Sequence, residues 1–211
     1  MGSCGASCGI DRRRARLQEQ AVARALRVHG DGSAGTPRWW PEKDAFAPAE
    51  VDAVAAHFGT VLPARVHVLR DDAMPFATWI YVIASTGPSS WVELRDGAAA
   101  TVPTEPEQGL RVGLSSLHRA AALQEFAFTG APADDGVWIE ERRVAGVEDR
   151  RLQPFVRAVQ GVLGARRIAC LDAAFLATEL GPEGPSLWAA LFDAAPMRSC
   201  AGVWIETPKL T

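Results

Sequence analysis

Gly136-Val137-Trp138-Ile139-Glu140 returns almost unchanged as Gly202-Val203-Trp204-Ile205-Glu206. In a β-strand residues i and i+2 point to the same side, so each copy reads as a strand with an indole and a carboxylate on one face and Val and Ile on the other. Trp91-Val92-Glu93 is a third copy, and Trp40-Pro41-Glu42 a looser fourth. If Val92, Leu94, Val137, Ile139, Val203 and Ile205 face a core, then Trp91, Glu93, Trp138, Glu140, Trp204 and Glu206 share the opposite face.

Outward from these copies, periodicity sorts the chain into elements. Val66, Val68 and Arg70 alternate with His67 and Leu69, Thr78 to Ala84 is apolar on both faces, and Trp91 to Leu94 alternates again. These read as three strands of a meander, the middle one buried on both sides. Pro48 to Phe58 reads as an amphipathic helix with Pro at its start and Gly59 at its end. Leu114 to Phe128 and Leu187 to Asp193 read as helices, each followed by Ala-Pro, a short loop and a Trp-bearing strand. This double occurrence reads as one way of docking a strand after a helix, used twice, more readily than as a duplication. A helix from about Asp149 to Leu163, stopped by Gly164, and a strand at Arg167 to Leu171 lie between the copies. The expected fold is α+β, a mainly antiparallel sheet of about five to seven strands with helices packed on at least one face.

Hydrophobic residues make up 48% of the 211 and charged residues 22%, enough apolar material for a real core and too little charge for disorder. Residues 1–37 read as a flexible Cys/Gly tail, one helix beginning near Asp11 and a Gly/Ser linker. Residues 38–211 read as a single α+β domain. The net charge of −3 gives no general attraction to nucleic acid or to an anionic membrane. The longest apolar run, Phe76 to Ala84, is far short of the roughly 20 residues that span a bilayer. With no apolar leader near the N-terminus, a cytoplasmic location is expected. Arginine is used almost throughout in place of lysine, with only Lys43 and Lys209 as exceptions, which suggests a GC-rich source.

Chemistry-bearing residues are scattered. Cys4, Cys8, Cys170 and Cys200 lack a spaced second pair, and His29, His57, His67 and His118 are not at ligand spacing, so no metal or cofactor is expected. Cys170 reads as a small buried hydrophobe and His67 as a satisfied strand histidine. No P-loop, GxGxxG or GxSxG occurs. Gly2 and Cys4 open a reading as an acylated, membrane-tethered adaptor, although Ala6 stands where Ser or Thr is usual. The glutamates of the tripeptides open a second reading, a hydrolase with paired carboxylates beside aromatic platforms.

Residues 64–94, with Val66-His67-Val68-Leu69, Ala84-Ser85-Thr86-Gly87 and Trp91-Val92-Glu93-Leu94, resemble the strand core of the suppressor-of-fused-like domains of bacterial toxin immunity proteins. No diagnostic motif accompanies the resemblance, which implies a binding role. Trp supplies large contact area with a polar edge, and carboxylates seek cationic side chains. A non-catalytic protein of the immunity or inhibitor type is therefore expected, binding a basic partner protein through Trp91, Glu93, Trp138, Glu140, Trp204 and Glu206. The plainer competing reading packs each indole under a neighbouring element and pairs each Glu with a nearby arginine such as Arg95 or Arg142.

Overall fold

The computed structural model describes residues 15–26, 46–69, 76–85, 87, 90–96, 102–133, 136–180, 185–192 and 198–206, the last of these for the backbone only. In chain order they form α1 (15–26), α2 (Pro48–Val61), β1 (Arg65–Leu69), β2 (Ala77–Ile83), α3 (Trp91–Arg95), β3 (Glu107–Ser115), β4 (Ala120–Ala133) and β5 (Gly136–Ala145). A 3-10 turn (Arg150–Leu152), α4 (Gln153–Ala165), β6 (Ala169–Leu171), α5 (Ala173–Leu176), α6 (Leu187–Phe192) and β7 (Arg198–Glu206) follow.

The strands make one seven-stranded sheet in the order β1-β2-β3-β4-β5-β7. Every neighbour on that path is antiparallel. The long strand β4 serves two partners along one edge: Ala120 to Ala122 pair in parallel with β6, and the stretch from Glu125 onward pairs with β5. The expected α+β architecture holds, with helices on both faces. On one face Ile80, Val82, Leu110, Val112, Ala121 and Leu123 pack against Val54 and Phe58 of α2 and Val159 and Leu163 of α4. On the other Trp79, Tyr81, Phe126, Phe128, Val137 and Ile139 pack against α1, α3, α5 and α6. The helix read as preceding the domain, within residues 1–37, packs in that second layer: Ala21 and Ala25 of α1 are fully buried, and Arg24 Nε donates to the Leu117 carbonyl at 2.9 Å.

Three local expectations fail, each for a physical reason. Trp91 to Leu94 is a helix, not a strand. Its first-turn N–H groups are met by side chains: Trp91 N donates to Glu107 Oε2 at 2.8 Å and Val92 N to the Ser90 hydroxyl at 3.2 Å. Leu114 to Phe128 is the end of β3 and most of β4, because the small side chains of Ala120, Ala121 and Ala122 sit beneath packed layers on both faces and tertiary burial outweighs alanine's helical preference. The supposed helix before the first Trp strand is therefore itself a strand. Ala131-Pro132 lies within β4, and no common helix-to-strand unit relates the two halves. Gly59 and Gly164 do not stop their helices, which run on to Val61 and Ala165. After α4 the chain reverses at Arg167, φ 58°, as Ile168 N bonds back to the Leu163 carbonyl at 2.9 Å.

Two strand glycines mark places where an indole lies flat on the backbone. A Cβ at Gly130 would stand 2.1 Å from the Trp91 ring, and one at Gly113 would stand 2.7 Å from the Trp79 ring.

Candidate functional site: an uncovered sheet face and a buried arginine cluster

The structure separates the three Trp/Glu copies. Trp91 is 2% exposed; its indole N–H donates to the Glu105 carbonyl at 2.8 Å while its ring covers Gly130. Glu93 pairs with Arg65 of β1. Neither reaches the other candidates, since α3 packs on the face that buries Val137 and Ile139 and alternation along β5 turns Trp138 and Glu140 the opposite way. For this copy the plainer reading holds in kind, an indole packed against a neighbouring strand and a Glu paired with arginine, although the arginine is Arg65.

The other two copies lie side by side. In the β5–β7 register Trp138 stands opposite Trp204, Glu140 opposite Gly202 and Glu206 opposite Gly136. The core beneath α2 and α4 draws its sheet residues from β1 to β4 and β6, and none from β5. Trp138 is consequently 45% exposed, and Thr129, Ala131, Glu140 and Arg142 around it are exposed as well. Arg142 does not pair with a tripeptide glutamate but reaches Glu125, at 3.9 Å. The result is an outward strip of sheet with a half-exposed indole flanked by charge.

The same alternation sends Glu141 and Arg143 inward, between Ile139 and the end of the strand. There they meet Tyr81 of β2, Arg111 of β3, Gln124 of β4 and Arg95 of α3. Glu141 is 2% exposed and Arg111 is 1% exposed. Glu141 Oε1 accepts the Tyr81 hydroxyl at 3.0 Å, and its Oε2 accepts Arg95 Nη1 at 2.8 Å and Arg143 Nη2. Arg95 Nη1 also donates to the Tyr81 oxygen at 3.2 Å, and Arg111 Nη1 to Gln124 Oε1 at 2.7 Å. The guanidiniums lie on aromatic faces: Arg111 is 3.6 Å from the Trp79 ring centre, and Arg95 is 5.1 Å and 5.4 Å from those of Tyr81 and Phe128. Gly109 and Gly113, flanking Arg111 on β3, leave the room that the Phe126 and Trp79 rings fill.

Electrostatics follow from this crowding. Burial pushes Arg111 down to about 10, with the positive charge of Arg143 acting the same way. Burial alone would raise Glu141, but the Arg143 hydrogen bond and the charges of Arg143, Arg95 and Arg111 outweigh it and hold the carboxyl below its usual range. Arg95 and Arg143 are raised: burial would lower both, but the Glu141 carboxylate and the Tyr81 oxygen prevail. Arg95 and Arg143 thus share one carboxylate, with Arg111 close enough for its charge to act on it. None of this cluster stood among the candidates from sequence, yet a signal was present: once Trp138, Glu140 and Arg142 face outward in Trp138-Ile139-Glu140-Glu141-Arg142-Arg143, Glu141 and Arg143 must face the core.

His67 Nε2 lies 2.7 Å from Asp96 Oδ2. Burial and the nearby Arg24 lower His118. Glu107, beneath the first turn of α3, is raised, chiefly by burial. Cys170 packs against the α2/α4 core. Among the described residues no group of three or more His, Cys, Asp or Glu side chains could hold a metal ion, and no helix is long and apolar enough to cross a membrane. Gly2, Cys4 and Cys8 lie outside the described residues. No protein-family model, curated protein or solved structure matches the chain.

Proposed function

We propose that this chain is a non-catalytic binding protein, of the immunity or inhibitor kind, that engages another protein through the outer face of β5 and β7. The observation that carries the reading is Trp138, held on a rigid strand at 45% exposure where no described helix covers the sheet. Indoles that stand out of rigid elements supply the desolvated anchors of protein interfaces, because they add large contact area at little cost in side-chain entropy. Glu140 beside it favours a partner with basic side chains at the rim, where charge sets orientation and association rate more than affinity. Trp204 and Glu206 enter the proposal through their register positions on β7; Trp91 and Glu93 leave it, being held on the other side of the sheet. A hydrolase gains less support, since Glu93 lies on the face opposite Glu140, and Glu206, on the same face as Glu140, pairs four register positions away along β5.

The test is a pull-down from native lysate read by mass spectrometry, wild type against Trp138→Ala/Glu140→Ala, followed by titration of the purified partner. The expected result is a stoichiometric partner whose affinity falls roughly 30-fold or more in the variant, as for an interface anchor. A partner retained equally by a folded variant would refute the role of this face.

A further inference from the structure

The paired path of the sheet ends at β1 and β7, and the two end strands protect their outer edges differently. An uncovered edge presents a row of N–H and C=O groups that templates a further strand, and short length or charge along the strand opposes this. β1 has five residues, two of which, Arg65 and His67, engage Glu93 and Asp96. β7 has nine residues and pairs only with β5 among the described residues. It carries neither a charge nor a proline from Ser199 to Ile205. Nothing along that stretch discourages a partner strand.

The β7 sequence is also complementary to itself. Laid antiparallel against a second β7 about Gly202, it sets Arg198 opposite Glu206, Ser199 opposite Ile205, Cys200 opposite Trp204 and Ala201 opposite Val203. The strand's one basic and one acidic residue thus meet each other twice, once at each end, and opposite charges at facing positions stabilise an antiparallel pair. A register centred on a residue also keeps the period-two alternation of the two strands in phase, so the outer faces of both copies lie on the same side.

We propose that the outer edge of β7 pairs antiparallel with β7 of a second copy of this chain, centred on Gly202, to give a symmetric dimer with one continuous sheet. The same edge serves both copies, so the assembly closes at two and does not grow into a filament. The dimer sets Trp138 of both copies on one side of the joined sheet, and it does not depend on what that face binds.

The experiment is analytical ultracentrifugation of the full chain in reducing buffer, which removes disulfide-linked species. The expected result for wild type is a monomer–dimer equilibrium without larger species. Arg198→Glu and Glu206→Arg each set like charges opposite at both ends and should weaken the dimer roughly tenfold or more. An equimolar mixture of the two variants should recover it as a heterodimer, because each end then joins Glu to Arg; a merely structural role for either residue gives no such recovery. Should a variant fail to fold by circular dichroism, hydrogen exchange of wild type decides, with amides in residues 198–206 slower in the dimer than in the monomer. A wild-type chain that stays monomeric at roughly millimolar concentration would overturn the proposal and leave the edge to another protein or to another part of this chain. So would single variants that dimerise as wild type does, a mixture that recovers nothing, or β7 exchange that is equal in monomer and dimer.

Discussion

Replacing Glu141 with Gln keeps shape and removes the carboxylate that Arg95 and Arg143 share. The hydrogen bonds from Arg95 and Arg143, both made to Oε2, then end on a neutral amide oxygen instead of a carboxylate, and the amide N–H groups face the Tyr81 hydroxyl or the cations. Each such bond contributes about 1.5–3 kcal/mol, and removal of one partner from a buried ion pair costs about 3–5 kcal/mol, so the two routes agree. The side chain of Glu141 is only 3% exposed, so solvent screening gives little relief. Against a total stability of about 5–15 kcal/mol this loss leaves a marginal fold, with a melting point lower by about 6–20 °C. Urea unfolding at pH 7 measures it, the midpoint falling with an unchanged slope. Glu141→Gln/Arg143→Gln should recover part of the loss, since it takes away a cation that the single variant leaves unpaired. The pH dependence has a definite sign: the folded value of Glu141 is depressed below 4.5, so its contribution is fully present above about pH 4.5 and is lost as pH falls through the folded value. Wild type should therefore lose more stability than Glu141→Gln on acidification below pH 4.5. A loss under about 1 kcal/mol at pH 7, or a double variant less stable than Glu141→Gln, would refute the view that this carboxylate holds the cluster together.

Trp91→Ala should cost about 3–5 kcal/mol in urea unfolding, because it empties a buried site over Gly130, whereas Trp138→Ala should stay within about 0.5 kcal/mol; equal effects would contradict the separation of the two copies. Glu107→Gln should raise stability at pH 8, since Gln keeps a carbonyl oxygen for the Ser90 hydroxyl and Trp91 N–H and removes a buried charge. The folded value of Glu107 is raised above 4.5, so wild-type stability declines as pH rises through it; the variant's advantage should vanish near pH 4, and an advantage that persists there would show another origin.

Much of the sheet was legible in local pattern. β1, β2, β5 and β7 each follow a period of two or a run of β-branched and aromatic residues, and α2, α4 and α6 follow their apolar spacing. Ser90-Trp91-Val92-Glu93 carried a warning in its capping-box spacing, Ser with Glu three residues later, which a strand reading overlooks. Alternation along Trp138-Ile139-Glu140-Glu141-Arg142-Arg143 also held the inward placement of Glu141 and Arg143, two residues beyond where the tripeptide stops.

By itself, then, the sequence determined the fold class, the strand character of the Trp138 and Trp204 copies and the opposite facing of their neighbours, because a strand's period is a local property of its backbone. The tertiary structure alone decided that Ala120 to Phe128 is extended, that Trp91 is core and Trp138 surface, and that Arg95 and Arg143 converge on one carboxylate. Those outcomes depend on which helix covers which strand and on pairing between residues far apart in the chain, and a side chain's exposure is set by that layering rather than by its own identity.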